Sequence, residues 1–181
     1  MNFTRTTVGV LLAAVVLFLG VRMFAASQSI PQVGQTAPGF TLPSQEGTNI
    51  SLHQYRGKWV VLYFYPKDMT SGCTIEARGF QADMGKFSAV NAVVLGVSVD
   101  SVKSHQEFCA KDGLHFKLLA DSNKKVVAEY GSLGMMGMMA NRNTFLINPE
   151  GKIVKEWIGV DPHHHSAEVL DAIQAMQKKS S

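Results

Sequence analysis

Cysteine is nearly absent from this chain: Cys73 and Cys109 are the only two in 181 residues. No Cys-x-x-Cys pair exists, because Cys73-Thr74 is followed by Ile75-Glu76, so a dithiol-exchange loop is excluded. Charge is sparse too. Charged residues make up 17% of the chain and form no long run of one sign, which argues against disorder. The net charge of +3 is small, and the basic pairs Lys124-Lys125 and Lys178-Lys179 lie apart without interleaved aromatics. That pattern excludes a nucleic-acid surface. No internal repeat is present. What the chain does have is 46% apolar residues, enough for one sizeable core plus an appendage.

The appendage is Met1–Ser29. Arg5 gives a positive flank, Val8–Val21 is an uncharged run rich in Leu, Val and Ala, and Arg22 ends it. The run suits a secretory h-region, and counted through Ala26 it makes a marginal span of about 20 residues. Phe24-Ala-Ala26 is a poor cleavage site because of the phenylalanine. The expectation is an uncleaved signal anchor over a cleaved peptide, with the globular part, residues 30–181, exported and held at the membrane or released into a periplasm. Pro31–Pro38 reads as an extended linker.

In the globular part, Phe40–Leu42 and Ile50–Leu52 read as short strands, and Val60–Tyr65 as a buried central strand ended by Pro66. Thr74–Phe87 reads as one helix, with Ile75, Ala77, Phe80 and Met84 at 3–4 spacing. Ala92–Val99 is a second buried strand. Ser104-His-Gln-Glu107 looks like a capping box opening a helix that runs to Asp112 and stops at Gly113. Lys124–Tyr130 is a short helix. Thr144–Ile147 and Lys152–Trp157 form a hairpin, and His165–Lys178 is a terminal amphipathic helix. This order predicts an α/β fold with a mixed central sheet flanked by helices.

Cys73 follows Gly72 where a strand gives way to a helix, so its sulfur sits near unpaired helix N–H groups that favour the thiolate, the reactive form. An ordinary thiol is only a few per cent ionised at neutral pH, and ionising most of it takes roughly 2.7 kcal/mol of preference for the anion. A helix end rarely supplies that much. A fixed cation is needed as well; Arg142, flanked by Asn141 and Asn143 ahead of an apolar strand, reads at this level either as that cation or as a solvated loop residue. Glu76, one turn into the helix, reads as a first-turn acid with a supporting role. Cys109 is open at this level between a structural disulfide, an unpaired thiol and a redox partner. Met135–Met139 could offer thioethers to copper(I), and His163–His165 imidazoles to zinc or copper. Three consecutive histidines cannot all converge on one ion, however, and they are expected to form a solvated turn. Glycine-rich methionine loops are more often flexible apolar surface. A membrane-anchored copper chaperone is the competing reading.

The run Tyr63-Phe-Tyr-Pro-Lys-Asp-Met-Thr-Ser-Gly-Cys-Thr-Ile-Glu-Ala77, with its Pro66-x-x-x-Thr70-x-x-Cys73 spacing, resembles the active-site signature of the peroxiredoxins. Together with Gly34-Gln-Thr-Ala-Pro-Gly-Phe40, Val97-Ser-Val-Asp100 and Asn141-Arg-Asn-Thr-Phe-Leu-Ile147, it is similar to the bacterioferritin comigratory protein, or peroxiredoxin Q, subfamily from about Val33 to Met176. Two positions depart from it: Ser71, where the family usually has proline, and Arg78, where many members have a second cysteine. The resemblance implies a thioredoxin-like fold and a thiol peroxidase acting on hydrogen peroxide and organic hydroperoxides. It implies no metal, haem, flavin or selenium. It makes Cys73 the peroxidatic cysteine, has the Pro66 ring shield its thiolate, has Thr70 contact sulfur and peroxide, and has Arg142 stabilise the anion. Some members carry a resolving cysteine on the helix where Cys109 falls, which implies a Cys73–Cys109 disulfide reduced by thioredoxin or another dithiol. A monomer is expected.

Overall fold

The computed structural model describes residues 29–180. The anchor reading of residues 1–29 therefore falls, but for Ser29, outside the described residues.

The continuous apolar stretch Trp59–Phe64 (β3) sits at the centre of a five-stranded sheet. Its neighbours are Ala92–Ser98 (β4) and Lys117–Ala120 (β5) on one side, and Asn143–Ile147 (β8) and Ile153–Ile158 (β9) on the other. β3, β4 and β5 run parallel, while β8 and β9 alternate antiparallel, so the sheet is mixed as expected. β3 shows no polar alternation because both of its faces are covered. Val61 and Tyr63 point into a core shared with three helices, Ser71–Ala82 (α1), Val102–Asp112 (α3) and His165–Ser180 (α5). Val60, Leu62 and Phe64 point into a second core. That core is closed by the hairpin Thr41–Pro43 (β1) and Asn49–Ser51 (β2) and by the helix Lys125–Glu129 (α4). Tyr63 lies across Gly96 of β4, where a Cβ would meet the tyrosine ring at 2.7 Å, so only glycine fits beneath it.

Several elements differ from the sequence reading. The expected helix Thr74–Phe87 begins earlier and breaks at Asp83 into α1 and a second helix, Met84–Ala89 (α2). Asp83 carries the break: its N–H still reaches back to Gly79 and Phe80, while its carboxylate takes the Ser166 hydroxyl from α5 at 2.6 Å. The capping residue of α3 is Ser101, whose hydroxyl accepts the Ser104 N–H at 3.2 Å, so Ser104 lies inside the helix and does not open it. Gly113 does end α3, at φ 64°. β5 had no counterpart in the sequence reading. Its free edge is bridged by the Gln45 side chain, which accepts from Leu118 N–H at 2.9 Å and donates to the Phe116 carbonyl at 3.1 Å. The remaining pair, Leu133–Gly134 (β6) and Met139–Ala140 (β7), frames the methionine loop.

The register places the site. Phe64 pairs with Asn143 at the C-terminal end of β3, so Arg142, one residue earlier, lies beside the loop that leads from β3 into α1.

Candidate active site

Thr70 is the extended residue before α1, at φ −81° and ψ 153°. Cys73 is the third helical residue, its N–H among those with no partner one turn back. Its side chain is 1% exposed and joins the core formed by Tyr63, Ala77 and Phe80. Arg142 reaches it from the sheet: Nη2 donates to Cys73 Sγ at 3.4 Å, and Nη1 donates to Glu76 Oε2 at 2.5 Å. The forked guanidinium thus holds sulfur and carboxylate together, as a lysine point charge cannot. Gly72 makes room for it, since a Cβ there would stand 3.1 Å from Nη2.

Glu76 is 1% exposed, and burial pushes it up to about 7 against the opposing charge and hydrogen bond of Arg142. The arginine is held by its own chain. Its carbonyl accepts Val160 N–H at 3.0 Å, and the next residue, buried Asn143, donates to Ser132 Oγ at 3.0 Å and accepts Gly159 N–H at 3.2 Å.

The structure therefore brings Cys73, Arg142 and Glu76 into contact. Pro66 follows β3 on the same loop, half-buried. Thr70 is exposed, and its hydroxyl donates to the Lys67 carbonyl at 3.0 Å. Cys109 is half-buried on α3 against the core that contains Cys73, and both thiols are free. Burial, then the charges of Asp68 and Glu46, push the Cys109 thiol up to about 11, so it is protonated at neutral pH.

Among the described residues no group of three His, Cys, Asp or Glu could hold an ion. His163 and His164 are exposed, but His165 is not the solvated residue expected. It is 1% exposed, with Nε2 bonded to Thr144 Oγ1 at 2.8 Å, and burial and then Arg142 push it down to about 4. Met136 and Met138 stand exposed on the loop between β6 and β7, as an apolar surface would.

A buried polar cluster escaped the sequence reading: Tyr65, Asp68 and His105, each 4% exposed or less, joined to Ser104. Asp68 and Tyr65 lay within the resembling motif, but Ser104 and His105 are 36 and 37 residues from Asp68, and only the fold brings them together.

The AhpC/TSA family matches residues 33–156. The chain is 40% identical over 154 residues to peroxiredoxin Bcp of Bacillus subtilis, covering 82% of this chain and 98% of that one. It is 47% identical over 145 residues to a putative peroxiredoxin Bcp of Coxiella burnetii, covering 77% and 96%. The crystal structure of a cysteine-to-serine mutant of Xylella fastidiosa PrxQ superposes with a TM-score of 0.78 at 38% identity, covering 82% of this chain and 99% of that one.

Proposed function

We propose a residue-level mechanism for this chain, which belongs to the AhpC/TSA family and is a peroxiredoxin, a thiol peroxidase with the thioredoxin-like fold of its relatives. Cys73 is its peroxidatic residue. The thiolate attacks the terminal oxygen of the peroxide, the O–O bond breaks, and the leaving oxygen takes a proton to depart as water or alcohol, leaving a sulfenic acid. Arg142 stabilises the anion before attack and the charge that develops on the peroxide oxygens during it. Glu76 holds the guanidinium in that orientation. Pro66 walls the loop, and the Thr70 hydroxyl turns from the Lys67 carbonyl to the bound peroxide. Cys109 then condenses with the sulfenic acid, a disulfide forms and water leaves, and thioredoxin or a similar dithiol restores both thiols by exchange. A solved relative, Xanthomonas campestris peroxiredoxin Q, exists with serine at either of two cysteines whose separation equals that of Cys73 and Cys109, which supports this pairing. The working unit is proposed to be the monomer, to be checked by sedimentation.

The observation that carries the mechanism is the Arg142 fork spanning Cys73 and Glu76. Arg142→Ala should slow Cys73 oxidation by about a hundredfold or more, the scale of removing one preorganised donor. Arg142→Lys should recover only part of the rate. Stopped-flow fluorescence over one turnover reads both, and a wild-type rate in the alanine variant would make Arg142 a structural residue only.

Residues 1–29 are proposed to carry the domain out of the cytoplasm and anchor it, from the Arg5-flanked apolar run. Fused to an export-dependent reporter, they should give activity in the membrane fraction. Soluble exported activity would select cleavage, and a reporter retained inside the cell would refute export.

A further inference from the structure

Asp68 lies five residues before Cys73, on the loop between β3 and α1, yet its carboxylate is committed to α3. Oδ2 accepts Ser104 Oγ at 2.7 Å and lies 2.8 Å from His105 Nδ1, while Oδ1 accepts the Tyr65 hydroxyl at 2.7 Å. Burial alone would raise this acid, but the hydrogen bonds from His105, Ser104 and Tyr65 outweigh it and hold Asp68 below the usual carboxylate range. An ionised carboxylate only accepts, so the proton between the two groups sits on His105 Nδ1. The Asp68 N–H is fixed as well. It donates at 2.9 Å to Asp100 Oδ2, which also takes Ser98 Oγ at 2.8 Å. The next residue, Met69, has φ 58°, a strained value for a side chain of its size, and the anchored Asp68 holds it there.

The far end of this contact is the helix of the second cysteine. His105 is fully buried, and its other nitrogen, Nε2, has no hydrogen-bond partner among the described residues, so the imidazole is fixed through Nδ1, by Asp68 at 2.8 Å with the Tyr65 hydroxyl at 3.3 Å. Cys109 follows one turn later on the same stripe of α3. A disulfide needs the two Cα atoms within roughly 4.4–6.8 Å, and the thiols here are unbonded on separate helices. From separate helices the two thiols are taken to meet only when a segment opens locally. α3 cannot move as a unit towards Cys73 while its first turn is tied to the loop.

We propose that Asp68 is a positioning residue for resolution, a clamp that ties the first turn of α3 to the Cys73 loop and sets how often α3 releases Cys109. The inference rests on the reading of Cys109 as the resolving cysteine. The clamp leaves peroxide attack at Cys73 untouched and restrains the second step, the loss of water between the Cys73 sulfenic acid and the Cys109 thiol.

Two readouts on the full chain test it. In reduced protein carrying Cys73→Ser, alkylation of Cys109 by N-ethylmaleimide, followed across pH so that rates are compared at equal thiolate fraction (the Asp68 charge itself raises this thiol), reports the opening of α3 without any redox chemistry. Asp68→Asn and Ser104→Ala should each speed it about tenfold, the scale of losing a hydrogen bond to a charged group. With Cys73 present, one equivalent of peroxide should form sulfenic acid within about twofold of the wild-type rate, while disulfide formation quickens by the same factors as the alkylation. A residue that merely supported the fold would lower the melting temperature and slow both steps together. If Asp68→Asn does not fold, Ser104→Ala decides alone. Unchanged alkylation in the folded variants overturns the clamp, and faster alkylation without faster disulfide formation overturns its link to resolution. If the wild type forms no Cys73–Cys109 disulfide, the resolving assignment falls and takes the link with it, while alkylation still decides the clamp.

Discussion

Cys73→Ser should reduce peroxide turnover by several orders of magnitude, on the scale of removing any enzyme's nucleophile. The serine hydroxyl would sit at the same helix start, under the same Arg142 fork, with Gly72 still leaving room for the guanidinium. What it lacks is chemistry. A hydroxyl is not ionised there at neutral pH, and its oxygen cannot take an oxygen atom from peroxide as sulfur does. The fold should be kept, because Cys73 contributes one small buried side chain to a core that Tyr63, Phe80 and Phe87 dominate. Peroxide consumption coupled to thioredoxin measures the loss. A variant retaining even a tenth of wild-type turnover would refute the nucleophile assignment.

Cys109→Ser should split the cycle in two. The first equivalent of peroxide should react at nearly the wild-type rate, since attack draws on Cys73, Arg142 and Glu76, with which Cys109 shares no hydrogen bond. The enzyme should then stall as sulfenic acid and, with excess peroxide, go on to the sulfinic form. Thioredoxin should not recycle it efficiently, whereas a small thiol should, through a mixed disulfide. The Cys109 thiol, pushed up to about 11 where it sits, supports a further expectation. In the wild type, resolution should be slower than attack until α3 opens and the thiol meets water. Wild-type thioredoxin-dependent turnover in Cys109→Ser would make this a one-cysteine enzyme.

The elements that sequence made legible are those whose environment is set locally. β3 was readable because burial on both faces leaves a continuous apolar run, and α3 ended where Gly113 could take a positive φ. Cys73 was marked by Gly72 and by the end of the strand before it. Arg142 is different: nothing within ten residues of it says that it faces sulfur. The β3–β8 register puts it there, and the resemblance pointed to it because the family's motif already encodes that register. The failures have the same root. α1 breaks at Asp83 for a hydroxyl contributed by Ser166, 83 residues away. β5 is a short strand whose edge depends on Gln45, some 71 residues earlier. His165 is drawn inward by Thr144 and by packing against Trp157 and Phe80, which its place in a histidine run concealed. Thr70 shows the opposite limit. Its position matched the motif, and only the structure shows its hydroxyl turned to Lys67.

The central claim is that Cys73 reduces peroxide and Cys109 resolves it within one chain. Intact mass of the reduced protein after one equivalent of peroxide, with and without prior alkylation, tests both halves at once. The account predicts a monomer lighter by two hydrogens, with both cysteines protected from alkylation. A stable addition of one oxygen with Cys109 still alkylatable, or a disulfide-linked dimer, would contradict it.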